Sequence, residues 1–209
     1  MEEYLVPTKA ADAEFTERRS RFIGHIFPCE TEEEALAVLK TMRETFWDAT
    51  HNVYAYIIHG GATRYSDDSE PQGTAGMPVL EVLRREGLEN VLCVVTRYFG
   101  GILLGAGGLV RAYTKSAKLA VDAAGISRKQ VWKTVEIVCP YGQFERLRNE
   151  VAAAGGLVTD VEYAADVTIH AMVPLAAAEP FSARVTDVTG GKVAVRYTGE
   201  EYRAFPVKE

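Results

Sequence analysis

The sequence predicts an α+β protein built of two units. Three observations point there. One strand in the middle of the chain is apolar on both faces, as a central strand is. The last third reads β-α-β-β-α-β. The length of 209 residues, at 47% hydrophobic and 25% charged, suits one large or two modest domains with a core that needs no staples.

The elements follow in order. Residues 20–28 (Ser-Arg-Phe-Ile-Gly-His-Ile-Phe-Pro) are rich in aromatic and β-branched residues and read as a strand. A helix comes next. Thr31 with Glu34 three residues on forms a capping box, and Leu36, Leu39, Met42, Arg43 and Phe46 give an approximate 3.6 period. Residues 52–58 read as a second strand. Residues 59–77, dense in Gly, Ser, Asp and Pro, read as one long loop. A short helix from Pro78 ends at Gly87, and residues 91–95 form the strand that is apolar on both faces. A glycine-rich turn leads into a helix from about Gly108 to Ala124, stopped by Gly125. Its apolar stripe is Leu109, Tyr113, Ala117, Ala120 and Ala124.

The chain then gives a strand at 131–140 and a helix at 143–154, closed by Gly155-Gly156. Two strands follow at 157–163 and 167–173. A helix at 175–188 is closed by Gly190-Gly191, and a strand at 192–197 ends the series. This is the ferredoxin-like order, with Pro180 either inside the second helix or in its first turn after a short bend. The boundary is expected near Ser127 to Gln130, which gives domains at 1–128 and 129–209.

Composition narrows the classes of function. With 29 Asp and Glu against 23 Lys and Arg, the chain is not an indiscriminate binder of nucleic acid. The opening Met1-Glu2-Glu3-Tyr4 is acidic where a signal peptide is basic and then apolar, and no run is long enough to span a membrane. Cys29, Cys93 and Cys139 are odd in number and lack metal-ligand spacing. A cytoplasmic protein with no membrane partner and no bound cofactor or metal is expected. The sequence is silent on oligomeric state.

Against that acidic background, residues 90–121 carry Arg97, Arg111, Lys115 and Lys118 and no acid. The glycines Gly100, Gly101, Gly105, Gly107 and Gly108 lie between Arg97 and Arg111. Two readings stand. Either the helix N-terminus and its cations hold an anion, or the glycines permit tight packing and the cations are a solvated face. The spacing matches neither a phosphate-binding loop of the Gly-Lys-Ser/Thr kind nor a dinucleotide fingerprint. A second cluster, Asp67, Asp68 and Glu70 with Gly73 and Thr74, reads in one of three ways: a loop closing over the basic corner through Arg97 or Arg111, a Mg²⁺ site, or a self-bonded surface turn. A third, Arg18-Arg19-Ser20-Arg21-Phe22, sets cations beside an aromatic. His51 lacks a nucleophile that the sequence can place beside it, so no catalytic set is assigned.

Three segments resemble the IMPACT family, in particular its bacterial YigZ-type members. They are Arg19-Ser20-Arg21-Phe22-Ile23, the run from Asp67 to Gly76, and the run from Arg97 to Tyr113. The resemblance covers essentially the whole chain. It implies a first domain similar to the ribosomal-protein-type βαβ fold that elongation factor G uses as its fourth domain. It also implies a ferredoxin-like second domain like that factor's last. It implies a link to translation, although the stress-kinase pathway of eukaryotic relatives does not carry over. The leading expectation is therefore a non-enzymatic binder of RNA or the ribosome. Arg97, Arg111, Lys115 and the glycine-turn amides would contact phosphates, flanked by Arg19 and Arg21. The alternatives are a protein-interaction module and a Mg-dependent enzyme acting on a phosphorylated small molecule.

Overall fold

The computed structural model describes residues 3–207. The fold is mixed α+β with antiparallel pairing, and the chain divides into two compact units. The first unit is Tyr4–Arg128 together with residues 204–207; the second is Lys129–Arg203.

The first unit opens with β1 (Tyr4–Pro7) and a hairpin of β2 (Ala11–Glu17) and β3 (Ser20–Pro28). α1 (Glu32–Thr45) follows, with Thr31 as its N-cap accepting from the Glu34 amide. Next come β4 (His51–Ile57), β5 (Thr63–Ser66), α2 (Gly76–Arg85), β6 (Val91–Tyr98) and α3 (Ala106–Ala124). The sheet order is β2-β3-β6-β4-β5, and every neighbouring pair is antiparallel. Strand alternation divides the central β6 between two cores. Leu92 and Val94 meet Ala35, Leu39 and Met42 of α1. Cys93 and Val95 meet α2 and α3, with Phe22, Leu83, Tyr113 and Ala117 among the fully buried side chains. Burial on both faces also pushes the Cys93 thiol up to about 12, which keeps it protonated and unreactive.

Several boundaries depart from the sequence reading. The long loop at 59–77 contains β5, and α2 begins two residues earlier than Pro78. β1 and β2 are strands the reading did not contain. Leu36 faces solvent, and Ala35 takes its place on the buried stripe of α1. The stripe expected on α3 is buried as read.

The second unit contains β7 (Ile126–Cys139, from Lys129 on), α4 (Phe144–Ala153), β8 (Leu157–Tyr163), β9 (Val167–Pro174), α5 (Ala178–Thr189) and β10 (Val195–Pro206, up to Arg203). β7, β9 and β8 lie side by side in that order, and β10 pairs β7. Leu147 and Val151 of α4 join Phe181 and Val185 of α5 over Ile137 and Ile169. Pro180 sits in the first turn of α5, after a short 3₁₀ turn at Leu175–Ala177. There its missing N–H costs no helical hydrogen bond. Both β7 and β10 run longer than their apolar cores, which is why composition understated them. Among the described residues no helix is long and apolar enough to cross a membrane.

Candidate functional site

The glycine corner links the end of β6 to the start of α3. Gly100 lies flat against the β2–β3 hairpin: its amide donates to Ser20 Oγ at 3.2 Å, and a Cβ there would sit 2.0 Å from the Arg19 carbonyl carbon. Gly105, at φ 70°, caps α3 without a side-chain hydrogen bond, and the first turn of α3 holds no acid. Its amides are thus left for an outside partner. Gly101 lies in the loop between these two. Gly107 and Gly108 form the first turn, with open space around Gly107 and Leu104 against Gly108.

Arg111 and Lys115, one turn apart on α3, line a groove of about 270 Å³ together with Phe15, Glu17, Arg18 and Leu104. Lys115 Nζ lies 4.4 Å from the centre of the Phe15 ring, a cation–π contact. Arg18 bridges to the corner by donating to the Leu103 carbonyl at 3.4 Å. Arg18 and Arg19 are the two residues of the β2–β3 turn, at φ 45° and 63°. A two-residue turn of this kind favours Asn-Gly, so holding two arginines there costs about 1 kcal/mol each. Arg19 is exposed and lies outside the groove lining, and Arg21 pairs with Glu14 at 2.6 Å. Lys118 is committed to Glu86 and Asp122.

Arg97 does not join these cations. It shares strand parity with Cys93 and Val95, so its side chain points under α3 and is 4% exposed. Nη1 donates to Glu70 Oε1 at 2.5 Å, Nη2 to Ser20 Oγ at 3.3 Å, and the guanidinium sits against the Phe22 and Phe99 rings. Glu70 Oε1 also accepts from the Tyr113 hydroxyl at 2.7 Å. Burial, and secondarily the Glu70 charge, pushes that hydroxyl far above its ordinary value and keeps it a donor. Arg97 is a structural cation, and its expected role as a direct phosphate contact is corrected to that.

The acidic loop is ordered by the same logic. The Asp67 carboxylate accepts from the amides of Gly73, Ala75 and Gly76, capping α2. Asp68 accepts from the Asn52 amide at 2.6 Å, and its carbonyl accepts from His51 Nδ1 at 2.8 Å. Thr74 donates to the Pro71 carbonyl. The loop therefore closes over Arg97 through Glu70, while among the described residues none of its carboxylates pairs with Arg111. For the Mg²⁺ reading, each of the three carboxylates is held by the protein through at least one oxygen, and among the described residues no three His, Cys, Asp or Glu side chains are grouped to hold a metal ion.

Sequence reasoning missed Phe15, which lies on an unrecognised strand, and Tyr113, which reads as plain core. Arg18 stood in the basic run but not in the expected contact set. The hairpin register, Glu17 opposite Ser20, carries it to α3.

Comparison with known proteins adds the following. Residues 18–121 match a family model described as the Impact N-terminal domain, and residues 137–192 match a domain of unknown function, DUF1949. The chain is 35% identical over 195 residues to "IMPACT family member YvyE" of Bacillus subtilis, covering 92% of this chain and 90% of that one. It is 32% identical to "IMPACT family member YigZ" of Escherichia coli, covering 92% and 97%. To rabbit "Protein IMPACT" it is 40% identical over 95 residues, 43% of this chain and 30% of that one. A solved structure titled "Crystal structure of an hypothetical protein" is similar at 30% identity and TM-score 0.60, covering 95% of this chain and 98% of that one.

Proposed function

This chain belongs to the IMPACT family, and we propose that it is a non-enzymatic, translation-associated regulator that binds RNA or the ribosome through the groove beside the glycine corner. One observation carries the reading: Arg18, from the β2–β3 turn, converges with Arg111 and Lys115 of α3 on a single groove walled by an aromatic. Cations beside an aromatic ring suit a phosphate backbone and a stacked base. The strained arginine pair supports it, since backbone strain of this kind persists at functional positions. Arg19 and Arg21 flank the groove as outer phosphate contacts, and the free amides of Gly105, Gly107 and Gly108 complete it.

The finer fold reading belongs to the same proposal. The strand order β10-β7-β9-β8 supports a ferredoxin-like second domain of the kind found last in elongation factor G. The first unit would then correspond to the ribosomal-protein-type fourth domain of that factor.

The test is binding to purified ribosomes and to a structured RNA across a salt series. Affinity is expected to fall linearly on a log–log plot, and Arg111→Glu/Lys115→Glu to lower the slope by about 2. Salt-independent binding, or binding unaltered in that variant, would sink the proposal. Arg18→Asn/Arg19→Gly is expected to raise stability by about 2 kcal/mol while weakening RNA binding, a trade visible by pairing thermal melts with the same titration.

A protein partner is the second reading, drawn from the exposed apolar Phe99, Ile102 and Leu103 of the corner loop. A pull-down that resists RNase and is lost in Leu103→Asp would favour it.

A further inference from the structure

A second concavity of about 350 Å³ opens on the other side of Leu104, and none of Arg18, Arg111 or Lys115 lines it. Its size falls at the lower end of the range for small-molecule sites, about 300–1,000 Å³. Its polar end is formed by His51, Glu70 and Arg97; Phe99, Leu103 and Leu109 supply much of the apolar remainder.

The polar end leaves two acceptors without a protein donor. Both side-chain bonds to Glu70 end on Oε1, which leaves Oε2 with no hydrogen-bond partner among the described residues. His51 Nδ1 faces a carbonyl, which only accepts, so Nδ1 carries the hydrogen. In the neutral ring Nε2 is then an acceptor, and it stands 3.7 Å from Glu70 Oε1, beyond hydrogen-bond range. Two acceptors therefore meet at one place with no donor between them. Arg97 Nε, fully buried beside them, also lacks a partner. Of these atoms only Arg97 Nε is fully buried; Glu70 Oε2 and His51 Nε2 stay open to the cleft as acceptors that a ligand can reach. On the same concavity lie Gly105 and Ala106, the uncapped start of the 19-residue helix α3. That start presents free amides and a positive dipole end, which favour an anion.

A ligand that answers all three needs carries a cationic donor for Glu70 and His51, an anionic group for the α3 amides, and an apolar body between the leucines and Phe99. We infer that this cleft binds an apolar α-amino acid. The ammonium lies on Glu70 Oε2 and His51 Nε2, the carboxylate on the amides of Gly105 and its followers, and the side chain against Phe99, Leu103 and Leu109. The cleft shares the start of α3 with the RNA groove but none of its cations, so Arg111→Glu/Lys115→Glu, which leaves the cleft lining unchanged, separates failure of one reading from failure of the other.

The test is isothermal titration of the full chain with L-leucine and L-phenylalanine. N-acetyl-L-leucine (no ammonium), L-leucinamide (no carboxylate) and L-glutamate (no apolar body) serve as comparators. Leucine or phenylalanine is expected to bind with Kd of about 1 mM or tighter. Each comparator is expected to be weaker by about tenfold or more, since each leaves a charged or apolar need unmet. Glu70→Gln should weaken binding by a similar factor. Because Glu70 also holds Arg97, the deciding variant is Ala106→Phe, which fills the cleft from an exposed position; it should abolish binding with an unchanged circular dichroism spectrum. No saturable binding of either amino acid up to about 10 mM would overturn the inference. Equal binding of the acetylated compound, or full binding by Ala106→Phe, would also overturn it.

Discussion

Arg97→Ala is expected to destabilise the first unit by about 3–5 kcal/mol, because it strands a buried carboxylate. The Arg97 and Glu70 side chains are 5% and 4% exposed, so water neither screens the pair nor replaces the lost partner. The same change removes the cation from between Phe22 and Phe99 and leaves Ser20 Oγ with one fewer donor. Glu70→Ala should cost a comparable amount, since it strands the guanidinium and the Tyr113 hydroxyl together. The double change Arg97→Met/Glu70→Gln removes both charges, keeps an acceptor for Tyr113, and should recover most of the loss. Urea unfolding midpoints at constant slope would measure all three. A loss below about 1 kcal/mol for Arg97→Ala would mean that the guanidinium is solvated and its burial is not as described.

Gly100→Ala is the second large effect, at about 3 kcal/mol or more. The new methyl would lie 2.0 Å from the Arg19 carbonyl carbon and 2.5 Å from the Ser20 amide nitrogen. Both are backbone atoms, and neither can swing aside as a flexible side chain would. Relief requires the hairpin to move off the corner, which pulls Arg18 away from Arg111 and Lys115, so RNA affinity should fall along with stability. Gly107→Ala is the matched control. It stands seven residues away in the same glycine run, its Cβ would meet open space, and it lies inside α3. There alanine is expected to gain about 0.5–1 kcal/mol from helix propensity. Thermal melts of the two variants side by side separate close packing from flexibility as the reason for the glycines; equal losses would refute the packing account.

The contrast between those two glycines also shows how far the chain could be read in advance. The corner itself was legible, because an apolar strand, a glycine run and an Ala-rich helix leave strong local signals. Which glycine touches the hairpin was not, because the contact joins residues 80 positions apart. The fate of Arg97 was half legible. Alternation put it opposite Tyr98, but only the seating of Glu70 from a distant loop decided that it would be buried. β2 was missed although Ala11, Ala13 and Phe15 alternate with Asp12, Glu14 and Thr16. Its small and acidic residues have low strand propensity, and tertiary pairing with β3 outweighs that. In the second unit the element order was readable throughout, since glycines and turns punctuate each helix and strand. The ends of β7 and β10 were not, because they run on beyond the apolar segments.

The position of β6 has a consequence during synthesis. β3 and β4 do not touch each other; each pairs with β6 instead. Until Tyr98 leaves the ribosome, the chain holds at most two separate two-stranded hairpins, which are marginal in water. The 70 residues between Pro28 and Tyr98 take roughly 4–14 s to translate at about 5–20 residues per second. For that interval Phe22, Ile26 and Val53, all fully buried in the finished unit, lack the β6 strand that pairs with them. The unpaired apolar edges of β3 and β4 are then expected to stay exposed on the nascent chain, and slowing elongation between these two points should lengthen that exposure.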